Sequence, residues 1–240
     1  MAKTAIVTDS NSGITQREGK EAGIFVLPMP FLINDTSYFE DINLTQEEFY
    51  VHLRDAAANV STSQPSIGDL LDFWNDILKE YDEIVHIPMS SGLSQSCATA
   101  TALAKDFGGK IHVVNNQRIS VTLKESVFDA LKLRDQGKTA VEIKDYLENG
   151  NIRNSVNFPN CNMGARTQAG RIAILHKNKK GIIGKFSNIL GDGDINITDM
   201  TNKSRGDYAY SLLDLESNVT EEIVGQLAAL DGVLKVRVIK

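Results

Sequence analysis

The sequence RIAILHKNKKGIIGKFSNILGDGDINITDM, residues 171–200, decides how the second half of this 240-residue chain folds. An apolar run at 172–175 precedes a polar loop, and apolar residues then recur at helical spacing across 182–190. Gly191 and Gly193 are expected to end that helix. Apolar residues after the two glycines open another strand. The stretch therefore predicts a strand, a helix and a second strand in close succession.

The residues that follow complete a regular pattern. A strand is predicted at 208–215, a second helix at 221–229 and a closing strand at 233–239. Residues 170–240 thus have the order β-α-β-β-α-β, which is typical of a ferredoxin-like split-βαβ unit.

Three segments of this unit resemble the C-terminal ACT domain of bacterial phosphoglycerate dehydrogenase: HKNKKGIIGKFSNIL, INITDMTNKSRGDYAYSLLDLES and DGVLKVRVIK. That domain is a regulatory module that binds L-serine at the interface of a homodimer. The resemblance implies that His176 and Asn178, in the loop after the first strand, hold serine together with Asn196 of a neighbouring chain. Asparagine suits this role because its amide offers both donors and acceptors to a zwitterion. The alternative is that these residues only shape turns. Lys180 replaces a proline common in the family, so we expect a looser loop.

Composition narrows the classes of function. The net charge is −6 and no basic block is present, which disfavours nucleic acid as a partner. No apolar stretch is long enough to span a membrane. Cys97 and Cys161 lack metal-like or CxxC spacing, and no GxGxxG turn is present. We therefore expect neither a metal nor a cofactor. We also expect Cys97 to be buried and the protein to be located in the reducing cytoplasm.

The first half alternates short apolar strands with helices, which predicts an α/β fold with a mainly parallel sheet flanked by helices. A polar-tipped hairpin is predicted at 31–39, and Thr45 and Glu48 form a capping box for the helix after them. The predicted strands are 4–8, 24–27, 83–87 and 111–114, and the predicted helices are 46–57, 67–78, 95–107, 121–134 and 140–147.

Three turns rich in serine and threonine lie at 9–12, 61–66 and 90–94. In a parallel sheet, ligands bind outside the carboxyl ends of the strands, so these turns are candidates for one crevice. Hydroxyls and the N–H groups of helix N-termini, without arginine or lysine, suit a carboxylate. The alternative is that Ser66 and Ser94 only cap the helices that follow them.

These turns also carry a second resemblance. The segments VTDSNSGI, TSQPS, SSGLS and IHVVNNQRISV resemble the N-terminal domain of the DegV family. Members of that family bind one long-chain fatty acid, and some act as the acyl-carrying partner of a fatty-acid kinase. The resemblance implies that the hydroxyls of Thr62, Ser63, Ser91 and Ser94 hold the fatty-acid carboxylate. Gln95-Ser96 follows the SSGLS loop where the family usually has Gly-Thr.

The two resemblances predict a fusion of a DegV-like domain at 1–148, a linker at 149–169 and an ACT domain at 170–240. Residues 156–158 of the linker could add an edge strand. The second DegV domain, which roofs the acyl tunnel, is then missing. Each CH₂ group left in water forfeits about 0.8 kcal/mol, so we expect weak acyl binding unless the ACT domain or a second chain covers the groove.

The leading hypothesis is a non-catalytic protein that binds a fatty acid and L-serine. A recombined or engineered fusion without joint function is the first alternative. A serine hydrolase is the second, because Gly92-Leu93-Ser94-Gln95-Ser96 lies on a predicted strand-to-helix turn as in a nucleophile elbow. The final glycine of that motif is missing, and the nearby bases in the sequence are His86 and His112.

Overall fold

The computed structural model describes residues 2–39, 42–55, 57–153 and 159–239, with only the backbone of Gln46. The chain forms two compact units, Met1–Lys144 and Asp145–Lys240. The predicted edge strand at 156–158 lies outside the described residues.

Unit 1 contains the elements of the predicted α/β region. Its strands are β1 (Thr4–Asp9), β2 (Ile24–Leu27), β3 (Pro30–Ile33), β4 (Thr36–Phe39), β5 (Val60–Thr62), β6 (Glu83–Ile87) and β7 (Ile111–Val113). Its helices are α1 (Gln16–Ala22), α2 (Gln46–Arg54), α3 (Ile67–Ile77), α4 (Ser96–Leu103), α5 (Ser120–Asp135) and the first turn of α6 (Ala140–Asn149). Short 3-10 turns lie at Ser10–Ser12 and Ala104–Phe107.

The central sheet of unit 1 has the strand order β2-β1-β6-β7, and neighbouring strands run parallel. The predicted parallel sheet flanked by helices is therefore confirmed. All six residues of β1 are buried, which explains why its apolar residues at 5–7 are consecutive rather than alternating. A separate antiparallel sheet has the order β4-β3-β5 and contains the predicted hairpin.

Helices α3 and α4 cover one face of the parallel sheet. Trp74 and Leu70 of α3 pack with Cys97 of α4 and with Ile84 of β6 in one apolar cluster. Cys97 is 2% exposed and is a small core residue, as predicted. Thr45 caps α2 through the predicted capping box, since Thr45 Oγ1 accepts from the Glu48 N–H at 3.2 Å and Glu48 Oε2 accepts from the Thr45 N–H at 2.8 Å.

Unit 2 follows the predicted order β-α-β-β-α-β. Its elements are β8 (Gly170–Lys177), α7 (Ile182–Asp192), β9 (Ile197–Arg205), β10 (Tyr208–Leu215), α8 (Glu221–Ala228) and β11 (Val233–Ile239). The strands form an antiparallel sheet in the order β11-β8-β10-β9. Phe186 and Leu190 of α7 and Leu227 of α8 pack with Ile172 and Ile174 of β8, so both helices lie on one face of the sheet.

The described residues of the segment predicted to be a linker, 149–153 and 159–169, belong to unit 2, and Ile152, Cys161 and Met163 pack against the other face of its sheet. The N–H groups of Ile152 and Cys161 each donate to the carbonyl of the other residue, at 2.8 and 2.9 Å. Cys161 is fully buried against Tyr210 and Leu212 of β10. The Asn, Gly and Pro content indicated a linker, but the sheet has apolar side chains on both faces. The second face therefore needs a cover of its own.

No helix in the described parts of the chain is long and apolar enough to cross a membrane. Within the same residues, no group of three or more His, Cys, Asp or Glu side chains is arranged to hold a metal ion.

Candidate functional site

The carboxyl edge of the parallel sheet is organised by a buried carboxylate. Asp9, at the end of β1, is 1% exposed. Its Oδ1 accepts from the Asn11 N–H at 3.0 Å, and its Oδ2 accepts from the Met89 N–H at 2.7 Å. Burial raises the pKa of the Asp9 carboxyl, and the Met89 N–H opposes that rise. Asp9 thereby ties the turn after β1 to the turn after β6.

The turn after β6 is folded around Ser90. The Ser90 carbonyl accepts from the N–H groups of Leu93 and Ser94 at 3.0 and 3.1 Å. Ser91 Oγ accepts from Asn115 Nδ2 at 2.9 Å, which joins this turn to the segment after β7. Ser94 Oγ accepts from the Ser96 N–H at 3.1 Å. Ser91 and Ser94 therefore lie in one hydrogen-bonded turn at the start of α4.

Thr62 and Ser63 lie on the other predicted loop. Thr62 ends β5 opposite Phe31, and both Thr62 and Ser63 are exposed. The Ser63 hydroxyl donates to the Gln64 carbonyl at 3.2 Å. Ser66 caps α3, since its Oγ accepts from the Asp69 N–H at 3.0 Å. Among the described residues, no hydrogen bond joins Thr62 or Ser63 to Ser91 or Ser94.

A narrow pocket lies where the two loops approach each other. Gln64 Oε1 accepts from the Thr99 hydroxyl at 3.3 Å, which connects the TSQPS loop to α4. The cavity itself is small, about 10 Å³, which is room for about one water molecule. Its apolar lining consists of Leu27, Met29, Pro65, Leu70 and Pro88, and its polar lining consists of Asp9, Gln64, His86, Ser96 and Thr99. The predicted hydroxyl residues themselves do not line it.

The sequence suggests His86 only as a possible catalytic base. The structure places it in the wall of the pocket. It is 2% exposed, and its ring meets Trp74 edge-on with centroids 5.6 Å apart. Burial lowers the pKa of His86 to about 3, so the imidazole is neutral near pH 7. The only sign in the sequence that His86 has a special role is its position as a polar residue inside the apolar strand EIVHI.

Among the residues that the structure describes, no base lies within hydrogen-bond reach of the Ser94 hydroxyl. Within the described residues its hydroxyl meets only the Ser96 N–H, and neither nitrogen of His86 has a hydrogen-bond partner. A serine nucleophile needs a histidine or an equivalent base within hydrogen-bond reach. The arrangement therefore does not favour the hydrolase alternative.

In unit 2, His176 lies inside β8 and not in the loop after it, which corrects the sequence prediction. The residue pairs with Ala209 and Val233 on the neighbouring strands, so the strand continues through it. Its side chain is buried in the core. His176 Nδ1 is 2.9 Å from the Lys177 carbonyl, and Nε2 is 2.9 Å from Ser211 Oγ.

The two asparagines of the predicted serine site are exposed and lie at opposite ends of β10. Asn178 Nδ2 donates to the Gly206 carbonyl at 3.3 Å, just before β10 begins. The Asn196 carbonyl accepts from the Glu216 N–H at 3.0 Å, just after β10 ends. One chain therefore brings Asn178 close to His176 but not to Asn196.

The architecture of unit 1 defines an α/β protein with a pocket at the carboxyl edge of a parallel sheet. Comparison with known proteins gives the family. The sequence model of a family described as "uncharacterised protein, DegV family" matches residues 3–189. A DegV domain-containing protein of Staphylococcus aureus is 30% identical over 197 residues, which are 81% of this chain and 68% of that protein. The chain belongs to the DegV family.

Solved structures agree with this fold. DegV of Bacillus subtilis, described as a fatty acid binding protein, matches with a TM-score of 0.57 at 21% identity over 81% of this chain. A DegV family protein of Thermus thermophilus, described for its fatty acid binding, matches with a TM-score of 0.56 at 19% identity over 94% of this chain. The chain covers 64% of the Bacillus protein and 75% of the Thermus protein.

The family match continues past residue 148, where the sequence predicted the DegV-like region to end, as far as residue 189. It therefore includes the segment predicted as a linker and the start of the segment that resembles an ACT domain. The predicted fusion of two families finds no support in these comparisons.

Proposed function

We propose that this protein binds a long-chain fatty acid in unit 1. The acyl chain enters at the narrow pocket at the carboxyl edge of the parallel sheet, which must widen to admit it because its volume is about 10 Å³. The carboxylate is held by the hydroxyl-rich turns. The observation that carries the proposal is the pocket itself, with five apolar residues beside two converging loops. The description of solved relatives as fatty acid binding proteins supports it.

The hydrogen bonds of the two turns favour Ser91 and Ser94 as carboxylate donors. Each of these hydroxyl oxygens accepts a hydrogen bond, from Asn115 and from the Ser96 N–H respectively. A hydroxyl that accepts can still donate its own proton, so both are able to donate to an anion. Thr62 is exposed and offers the same group, whereas the Ser63 hydroxyl already donates to Gln64.

The first test is lipid content. Organic extraction of the purified protein followed by mass spectrometry is expected to recover a long-chain fatty acid. After delipidation, a fluorescent fatty acid should bind with one site per chain. If no lipid is extracted and the fluorescent fatty acid does not bind, the proposal is wrong.

Matched variants then locate the site. Met29→Trp, which fills the pocket, should abolish probe binding, whereas Val141→Trp at a position that is 61% exposed should not. Ser91→Ala combined with Ser94→Ala should weaken affinity by about tenfold or more, as expected for lost hydrogen bonds to a charged group. Ser204→Ala, on an exposed part of β9, is the control. Unchanged affinity in the double variant would show that these serines do not bind the carboxylate.

A second candidate function, L-serine binding by unit 2, is supported by its element order and by the sheet order β11-β8-β10-β9. In this hypothesis two chains form a homodimer, with Asn178 of one chain facing Asn196 of the other. His176 would contribute only if its bonds to Lys177 and Ser211 opened. Titration calorimetry should show serine binding that Asn196→Ala weakens by about 1–3 kcal/mol. If native mass spectrometry shows no dimer that serine stabilises, the hypothesis is wrong.

The prediction of a fatty-acid kinase as partner depends on the first proposal. It is tested by asking whether the lipid-loaded chain, and not the Met29→Trp variant, supplies acyl groups for phosphorylation by such a kinase.

A further inference from the structure

The wall of the unit 1 pocket contains polar atoms that have no partner. Both ring nitrogens of His86 and the hydroxyl of Ser96 are buried without a hydrogen bond to any described residue. Both residues line the pocket. Trp74 Nε1, on the ring that meets His86, is also buried and unpaired. A saturated acyl chain has no polar group along its length, so it would leave these atoms without partners. Buried polar atoms without partners cost the protein stability.

The chemistry of these groups selects a neutral ligand group. Neutral imidazole offers one N–H donor and one acceptor nitrogen, and the serine hydroxyl offers both as well. An alcohol also donates and accepts, so it can satisfy either residue. A second anion is a poor match, because Asp9 lines the same pocket and because burial keeps His86 uncharged near neutral pH. A cation is also disfavoured, because burying a charge costs free energy.

We propose that the acyl chain bound in this pocket carries a hydroxyl group, and that His86 and Ser96 hydrogen-bond to it. The inference rests on the proposed function, since it concerns the specificity of the same pocket. His86 is then a residue that determines specificity, while the carboxylate remains at the hydroxyl-rich turns. A site built to bond a ligand hydroxyl discriminates against the analogue that lacks it, because its own polar groups stay unpaired.

The test is competition for the delipidated protein between stearic acid and a series of monohydroxystearic acids that differ in hydroxyl position. At least one hydroxy acid is expected to displace a fluorescent fatty acid about tenfold more effectively than stearic acid. His86→Leu should remove that preference while keeping or improving the affinity for stearic acid. His112→Leu makes the same substitution on β7, outside the pocket lining, and should keep the preference.

The outcomes separate the two proposals. If stearic acid binds and no hydroxy acid binds more tightly, the hydroxyl proposal is wrong, and an ordered water serves as the partner of His86. If the preference survives in both His86→Leu and Ser96→Ala, it arises elsewhere and the proposal is also wrong. If no fatty acid binds, the proposed function itself fails. Fluorescence of Trp74, the single tryptophan of the chain, reports whether each variant is folded.

Discussion

His86 is the residue whose environment has the clearest consequence for stability. Its folded pKa of about 3 lies below the ordinary value of 6.5, because burial disfavours the charged form. Between these two pH values the unfolded chain binds a proton that the folded chain does not. Stability contributed by the neutral ring is therefore complete above about pH 6.5 and is lost progressively as the pH falls toward about 3.

We therefore predict that lowering the pH from about 7.5 to about 5 costs the protein about 2 kcal/mol more than it costs the His86→Leu variant. Urea unfolding followed by Trp74 fluorescence measures the difference, because Trp74 lies in unit 1 against His86. Asp9 titrates in both proteins and cancels in the comparison. Identical pH dependence in the two proteins would show that the ring is protonated or solvated in the folded state.

A second residue-scale prediction concerns the buried ion pair of unit 2. Arg171 and Asp214 are almost completely buried and form two parallel hydrogen bonds, of which the Nη2–Oδ2 bond is 2.8 Å. Arg171 Nη1 also donates to the Gly164 carbonyl at 2.8 Å. Asp214→Ala should destabilise unit 2 by about 3–5 kcal/mol, because it leaves a buried guanidinium without its counter-ion.

The matched control is the double variant Arg171→Met with Asp214→Leu, which replaces the pair by apolar side chains. It should recover most of the lost stability, since no charge remains buried alone. Hydrogen exchange of the β8 and β10 amides measures unit 2 in the intact chain. A double variant as unstable as Asp214→Ala would mean that packing, and not the unpaired charge, causes the loss.

At the scale of secondary-structure elements, two helical glycines are expected to respond oppositely to the same substitution. In α1, a methyl group at Gly19 would lie 2.8 Å from Val26 Cγ2 and 2.9 Å from the Ile24 carbonyl of β2. In α7, a methyl group at Gly184 would meet nothing within 4 Å. Gly19→Ala should therefore destabilise unit 1 by about 1–3 kcal/mol, because backbone must move.

Gly184→Ala should instead stabilise unit 2 by about 0.5–1 kcal/mol, the usual gain for alanine in a helix. Trp74 fluorescence for Gly19→Ala and hydrogen exchange of the α7 amides for Gly184→Ala measure the two effects. A stabilising Gly19→Ala would show that α1 is not held this closely against β2.

The sequence predicted elements well where hydrophobic periodicity is strong. The predicted strands at 24–27 and 83–87 have the limits of β2 and β6, and the order of elements in unit 2 is as expected. It missed β5, a strand of three residues that ends at the first residue of TSQPS, because so short a strand depends on its partner β3 rather than on its own pattern. The positions of Thr62 and Ser63 also depend on pairing with β3.

The pocket was less predictable than the fold for a related reason. The hydroxyl-rich turns at 9–12 and 61–66 contribute Asp9, Gln64 and Pro65 to the pocket lining, whereas the predicted hydroxyl residues are absent from it and His86 and Thr99 are present. Their roles depend on how α3 and α4 approach β6, which is a matter of packing between distant segments. His176 shows the same limit, since its place within β8 follows from pairing with β10 and β11 and not from its neighbours in sequence.

At the scale of the whole chain, the family match and the two structural units divide the sequence differently. The match ends at residue 189, within α7, whereas unit 2 begins at Asp145. Periodicity and turn residues determine which elements form, and similar elements in a similar order arise in unrelated families. The ACT resemblance of unit 2 is therefore best tested by ligand binding rather than by its element order.

The net charge of the whole chain leads to a prediction about how a fatty acid reaches the pocket. The protein carries a charge of −6, so it should be repelled by membranes that contain anionic phospholipids. Transfer of a fluorescent fatty acid from vesicles to the protein should be slower from anionic than from zwitterionic vesicles at low salt. The difference should shrink as the ionic strength rises from about 0.01 M to about 0.15 M, because the screening length falls from about 30 Å to about 8 Å. Transfer from zwitterionic vesicles is the control and should change little with salt. Faster transfer from anionic vesicles would mean that a local basic surface, and not the net charge, governs the encounter.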